Sequence, residues 1–199
     1  MCSQDMGTTM PENVEIERRF LVDGRNQRPW IHNSTERIKI TQWYIDIAQL
    51  VVSESEGTIS YSNEVVVANL DHELCRILNN NPSWTVRIRR WNNTSFLTLK
   101  GPRSGAVASE YEWEIDGDVA NNIVQQTTYP CIEKNRYLWK GEDGFLWEID
   151  EFEGSLAGLI IAEVELEDEA AELSIPVWAG MELTHLKGWS NAALVKMLS

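Results

Sequence analysis

Charged residues recur at every second position in six separate stretches of this chain. They are Glu15-x-Glu17-x-Arg19, Arg87-x-Arg89, Glu110-x-Glu112-x-Glu114, Lys134-x-Arg136, Glu148-x-Asp150 and Glu163-x-Glu165. Successive side chains of a β-strand point to opposite faces, so each stretch sets two or three charges side by side on one face. Ile16, Ile88, Ile149 and Val164 occupy gaps in the pattern and face the other way. Carboxylates at i and i+2 lie about 6–7 Å apart and repel by roughly 2–3 kcal/mol at an effective dielectric near 20. One such pair is tolerable in water. Repeating it on several strands, beside strands carrying paired cations, points to a site that takes a polyanion together with a metal cation.

The alternation allows two architectures. With the charges outward, the chain is an ordinary sheet with an apolar interior and a solvated ionic face. With the charges inward, it is a charged bore whose apolar exterior must be covered by helices, by an inserted segment or by another subunit. A one-residue slip exchanges the two faces, and periodicity alone does not choose between them.

Composition narrows the function classes. A chain of 199 residues with 43% hydrophobic residues and nine Trp is long and apolar enough for one folded domain. The net charge of −14 opposes nonspecific binding of a nucleic-acid duplex. The basic residues Arg87, Arg89, Arg90, Lys100, Lys134 and Arg136 nevertheless cluster on strands, which suits a cleft for a small anion. Cys2, Cys75 and Cys131 are odd in number and widely spaced, so neither a disulfide framework nor a zinc knuckle is expected, and a reducing cytoplasm is the simpler setting. The N-terminal MCSQDMGTTMPEN has no apolar core of a signal peptide, and no run of 18 apolar residues marks a membrane helix. His32, His72 and His185 show no ligand spacing. Phosphate-cradling, dinucleotide and nucleophile-elbow motifs are missing.

Strand signals fall at about 13–22, 37–47, 84–92, 95–100, 109–116, 131–139, 144–152 and 158–167. Turn signals separate them, among them Asn92-Asn93, Gly101-Pro102, Gly105 and Gly154. A short helix is expected over 118–126, capped by Asp116 or Asp118, and another over the last ten residues near Ser190 or Asn191. Residues 1–11 read as a flexible lead. Residues 48–83 read as an insertion, with Ile59–Val67 as one further hairpin arm and Asp71–Asn79 as a helix. The expected class is α+β: an antiparallel sheet of eight strands, closed into a barrel, with a few flanking helices.

The stretch Val14-Glu15-Ile16-Glu17-Arg18-Arg19-Phe20-Leu21-Val22 resembles the E-x-E-x-K opening strand of the CYTH superfamily, the triphosphate tunnel metalloenzymes. The resemblance continues in order through Thr41–Ile45, Val86–Arg89, Leu97–Gly101, Glu110–Glu112, Glu133–Tyr137, Trp147–Phe152, Gly158-Leu159 and Ala162–Leu166, covering about residues 12–168. It implies an eight-stranded barrel whose charged tunnel binds a triphosphate and a divalent metal, Mg²⁺ or Mn²⁺. By position it implies metal binding by Glu15, Glu17 and Glu165, with Glu112, Asp150 and Glu163 nearby. Arg19, Arg87, Arg89, Lys100, Lys134 and Arg136 would grip phosphate oxygens, and Glu17, Arg19, Tyr44 and Lys100 would carry the chemistry. Two positions depart from the family pattern: Arg19 stands where lysine is usual, and Ala108 where many relatives have arginine. An arginine there can bind phosphate but cannot accept a proton.

The activity this implies is metal-dependent hydrolysis of a triphosphate, inorganic tripolyphosphate foremost. The alternatives are a class IV adenylate cyclase that converts ATP to cyclic AMP, and a noncatalytic sensor of polyphosphate or nucleotide. The partner is a small-molecule triphosphate, with no duplex nucleic acid and no membrane. Outward apolar positions and the Trp content are compatible with a homodimer.

Overall fold

The computed structural model describes residues 14–25 and 27–197, so the expected N-terminal lead lies outside the described residues. Twelve strands follow in chain order: β1 (Val14–Val22), β2 (Glu36–Tyr44), β3 (Leu50–Ser53), β4 (Thr58–Tyr61), β5 (Glu64–Val67), β6 (Thr85–Trp91), β7 (Thr94–Lys100), β8 (Val107–Ile115), β9 (Cys131–Lys140), β10 (Leu146–Phe152), β11 (Ile160–Leu166) and β12 (Ala179–Glu182). Four helices accompany them: α1 (Trp30–Asn33), α2 (His72–Asn80), α3 (Gly117–Val124) and α4 (Asn191–Lys196).

Eight strands close on themselves in the order β11-β10-β9-β2-β6-β7-β8-β1, with β1 pairing back to β11. Every pairing in the ring is antiparallel. The β1–β11 seam sets Glu17 opposite Glu165 and Arg19 opposite Glu163. The β1–β8 seam is short and sets Glu15 opposite Ala108. The short strand β12, which had no signal in the sequence, adds to the upper part of β1. Gly180 is required there, because a Cβ would stand 2.5 Å from the carbonyl oxygen of Leu21.

Most of the apolar residues lie on the outside of the barrel and are jacketed from two sides, while Ile38, Ile40, Ile132, Phe152 and Ile161 share the inner parity. Over β6, β7 and β8, the residues Val86, Ile88, Leu97, Leu99 and Ile115 pack against Ile59, Tyr61, Val67 and Leu78 from the 50–80 segment and against Ala120 and Ile123 of α3. Over β1, β10 and β11, the residues Ile16, Phe20, Trp147, Ile149 and Val164 pack under Trp30 and Trp178. Full burial of one such aliphatic or aromatic side chain contributes about 1.5–3 kcal/mol. A third cluster, Ile132, Phe152 and Ile161 with Leu183, Leu194 and Val195, gathers where α4 meets the barrel.

The segment between β2 and β6 differs from its sequence reading in one respect. Ile59–Val67 is not a single arm but the hairpin β4–β5, the outer part of a three-stranded sheet β3-β4-β5. Ser62 and Asn63 turn it, with φ of 49° and 68°. Two successive residues in the left-handed region define the tight hairpin turn whose twist matches its strands. Helix caps follow the sequence signals: Asp71 accepts from Leu74 N, Asp116 from Asp118 N and Val119 N, and Ser190 from Ala193 N. Among the described residues no helix is long and apolar enough to cross a membrane.

Candidate active site

Because one apolar parity of β1, β6, β7, β10 and β11 faces the jackets, the charged parity of those strands faces the bore; β2 is the exception, with Ile38, Ile40 and Gln42 on the inner face and Arg37 and Lys39 outside. The bore is about 210 Å³ in volume. It is lined by six carboxylates, Glu15, Glu17, Glu110, Glu148, Glu163 and Glu165, and by six cations, Arg19, Arg87, Arg89, Lys100, Lys134 and Arg136. Gln42, Trp91 and Asn191 complete the wall. The six alternating stretches therefore converge on one space.

Cross-strand register decides who pairs with whom. Lys100 of β7 stands opposite Glu110 of β8, and its Nζ lies 2.6 Å from Glu110 and 2.5 Å from Glu15. Arg87 holds Glu110 at 2.9 Å, and Arg89 holds Glu112 at 2.5 Å. On the opposite wall Arg136 spans three carboxylates: Asp150 at 2.7 Å, Glu163 at 3.1 Å, and Glu148 in closer contact. Lys134 pairs tightly with Asp150. Lys134, Arg136 and Asp150 are 2%, 6% and 1% exposed, so this group is a fully buried ionic network. Arg19 links Glu17 at 2.7 Å to Glu163 at 2.8 Å.

Burial and neighbours set the protonation behaviour. Burial favours the neutral form of Glu110, but Arg87 and Lys100 outweigh it and bring the carboxyl down to about 2. Glu163 is likewise held well below the usual carboxylate range by Arg19, Arg136 and Lys134 against the penalty of burial. Glu15 moves the other way: burial and repulsion from Glu110 push it up, and the shared Lys100 offsets only part of this. Glu165 is raised by burial and by repulsion from Glu148 and Glu110. It makes no ion pair or hydrogen bond among the described residues. Burial and repulsion from Arg136 bring Lys134 down to about 8. Burial together with Arg87 and Arg136 lowers Arg89.

Two unsatisfied regions of opposite sign thus share the bore. On one side the guanidiniums of Arg87, Arg89 and Arg136 repel each other, and the Nε atoms of Arg87 and Arg89 are buried without an acceptor. An anion with several oxygens would satisfy both. On the other side Glu165, Glu148, Glu110 and Glu15 crowd one another, which a cation would relieve.

Most of the residues singled out from the sequence line this space; three do not. Glu112 turns to Arg89 and Thr98, and Asp150 is covered by Lys134 and Arg136. Tyr44 stands opposite Arg87 behind the lining and accepts from Gln42 Nε2 at 2.9 Å; burial keeps its hydroxyl protonated. Among the described residues no three His, Cys, Asp or Glu groups converge as a preformed metal cluster.

Four participants were not singled out. Gln42 shares the parity of Tyr44 on β2, so that strand's alternation held the signal. Glu110 and Glu148 belong to stretches already noted. Arg103 is different: it sits in the β7–β8 hairpin, outside any alternation, and contacts Glu17 directly. The hairpin reaches β1 because Glu17 N donates to Ala106 O at 3.1 Å.

A closed antiparallel barrel with a mixed-charge bore defines a tunnel protein, and comparison with known proteins gives its family. The CYTH domain model matches residues 79–191, and the chain belongs to that family. It is 45% identical over 113 residues to the inorganic triphosphatase of Acetivibrio thermocellus, covering 56% of this chain and 72% of the relative. It is 39% identical over 111 residues to the inorganic triphosphatase of Nitrosomonas europaea, covering 55% and 73%. Among solved structures, the inorganic triphosphatase NE1496 superposes with a TM-score of 0.55 at 27% identity, covering 91% of this chain and 93% of that one.

Proposed function

We propose that this chain is a metal-dependent triphosphatase whose substrate is inorganic tripolyphosphate. The observation that carries the proposal is the bore itself: a mutually repelling cation group and a mutually repelling carboxylate group facing one small space. The two inorganic triphosphatases that this chain resembles in sequence support the same reading.

The residues suit a hard divalent cation. Carboxylate oxygens are the ligands that Mg²⁺ and Mn²⁺ prefer, and Glu165 is a bore carboxylate whose side chain has no hydrogen-bond or ion-pair partner among the described residues. Glu15, Glu17 and Glu165 would hold the ion, with Glu163 beside them. When bound, it supplies Lewis-acid polarisation of phosphate oxygens. Six carboxylates balance six cations in the bore, so a polyanion arriving alone would leave the site strongly negative.

The remaining work falls to the chain's own groups. Arg87, Arg89, Lys100, Lys134 and Arg136 bind oxygens along the phosphate chain and spread its developing charge, the main requirement of phosphoryl transfer. As those cations turn to phosphate, Glu15 and Glu110 are released from Lys100. Tyr44 supports Gln42 and lies beside Arg87. Arg19 bridges Glu17 and Glu163, so it positions both carboxylates and binds phosphate, and a guanidinium offers no lone pair to take a proton. A bore carboxylate orients the attacking water. We also read residues 12–199 as one tunnel unit in which the 48–83 segment shields the apolar exterior.

The test is phosphate release from tripolyphosphate with Mg²⁺ or Mn²⁺ and with EDTA, for wild type and Glu17→Ala. Turnover that needs metal and is lost in the variant is expected. Equal rates with EDTA, or in the variant, would reject the proposal. ATP run in parallel, with assay for cyclic AMP, distinguishes the cyclase chemistry.

A further inference from the structure

A second cavity of about 350 Å³ lies on the far side of Arg19 from the bore. Its walls come from three places: Arg103 and Gly105 of the β7–β8 hairpin, the Leu183–Lys187 segment after β12, and Ser190 at the start of α4. Arg19 belongs to both linings and is the partition between them. It is fixed there, since its backbone N donates to Thr184 Oγ1 at 3.1 Å and its carbonyl accepts from Leu183 N at 2.8 Å.

The charge of this lining is opposite to that of the chain. The molecule carries a net charge of −14, and its bore is balanced, yet this cavity presents Arg19, Arg103 and Lys187, with His185, and no carboxylate. Glu17, which holds Arg103, Glu169, beside Gly105, and Glu182, which accepts from Thr184 and interacts with His185, stand outside the lining. Arg103 Nη1 is buried and has no hydrogen-bond acceptor among the described residues. The side chains of His185 and Lys187 have no hydrogen-bond or ion-pair partner among the described residues. Ser190 Oγ accepts from Ala193 N, which leaves its own proton to donate. Free donors on Arg103, His185, Lys187 and Ser190, around a space whose lining includes no carboxylate, describe a seat for a small oxyanion.

We propose that this cavity is a binding site for inorganic phosphate, separated from the bore by the Arg19 side chain and built by Arg103, His185, Lys187 and Ser190. The identity of the anion rests on the triphosphatase reading, because hydrolysis of tripolyphosphate by water yields one diphosphate and one phosphate. The cavity takes the smaller product beside the place where it forms. Phosphate there touches Arg19 without occupying the bore, so it inhibits turnover by a mixed rather than a purely competitive pattern.

The test is calorimetric titration of inorganic phosphate into the full chain, wild type and the double variant His185→Gln with Lys187→Met. Both side chains are exposed and lie outside the bore, so folding and the KM for tripolyphosphate are expected to be unchanged. Losing two cationic or donor contacts should weaken phosphate roughly tenfold. In the wild type, phosphate should also shift the amide resonances of His185, Lys187 and Ser190, a readout that needs no substitution. Equal phosphate affinity in the two proteins, shifts confined to bore residues, or no phosphate binding by the wild type would overturn the proposal. The titration needs no turnover. A chain that fails to hydrolyse tripolyphosphate but binds phosphate at these residues loses the triphosphatase reading and keeps the anion site.

Discussion

The two walls of the bore are built from the same residue types and do different things. On the wall formed by β9, β10 and the middle of β11, Lys134, Arg136, Asp150 and Glu163 are buried and interlocked, and each charge has a close partner. On the wall formed by β8, β1 and the outer end of β11, Glu15 and Glu110 share one Lys100, Arg87 reaches only Glu110, and Glu165 has no ion-pair partner among the described residues. Buried ions that are fully paired fix a geometry. Carboxylates that outnumber their cations leave a demand for one. The first wall positions; the second wall recruits.

The largest effect expected from this contrast is Arg136→Met. It removes the cation shared by buried Asp150 and Glu163 and by half-exposed Glu148, leaves Asp150 only Lys134 and Glu163 only Arg19, and should cost about 3–5 kcal/mol of stability, seen as a lower denaturant midpoint. Adding Asp150→Asn should restore part of that loss. A midpoint unchanged by Arg136→Met would show that the network holds nothing in place.

Glu165→Gln is the mirror test on the other wall. It removes a carboxylate that repels its neighbours, so stability should stay within about 0.5 kcal/mol of wild type. Metal-dependent turnover of tripolyphosphate should fall roughly 100-fold, about 2.7 kcal/mol at the transition state. A stability loss comparable to that of Arg136→Met would erase the distinction between the walls.

The smallest effect concerns pH. Lys134 titrates at about 8, below the ordinary lysine value of 10.5. It is charged below that pH and neutral above it, so its grip on phosphate is present at pH 7 and lost as pH rises through about 8. The folded protein binds fewer protons here than the unfolded chain between those two values, so this group's own contribution to stability rises with pH across that window. KM for tripolyphosphate should therefore climb through pH 8, and Lys134→Arg should move the rise to higher pH. A KM profile flat to pH 10 in the wild type would contradict this.

Alternation made the barrel legible. Ile16, Ile88, Ile149 and Val164 sit between charges, and once the jackets claim that parity the charges have only the interior left. The sequence alone left the direction open, because the deciding contacts are made with Trp30, Trp178 and the 50–80 segment, all distant along the chain. The hairpin turn at Ser62-Asn63 was hidden because it lacks glycine and interrupts an apolar run. β12 is four residues long and contains Gly180, so it has too little pattern to register. Arg103 stands in a loop of glycine, proline and serine where no periodicity operates. Its place is set by a backbone bond between Glu17 and Ala106 that only the closed barrel creates. Asp150 and Glu112 share the parity of the bore carboxylates, but parity says nothing of depth, and both are absorbed by neighbouring cations.

The bore's cations hold a phosphate chain while its crowded carboxylates favour a metal. Calorimetric titration of tripolyphosphate into the full chain, with Mg²⁺ and then with EDTA, measures that coupling directly. The expected result is binding tighter by roughly tenfold or more with the metal, a coupling of about 1.4 kcal/mol or greater. Equal affinity under both conditions would show that the carboxylate wall recruits no metal for the phosphate chain.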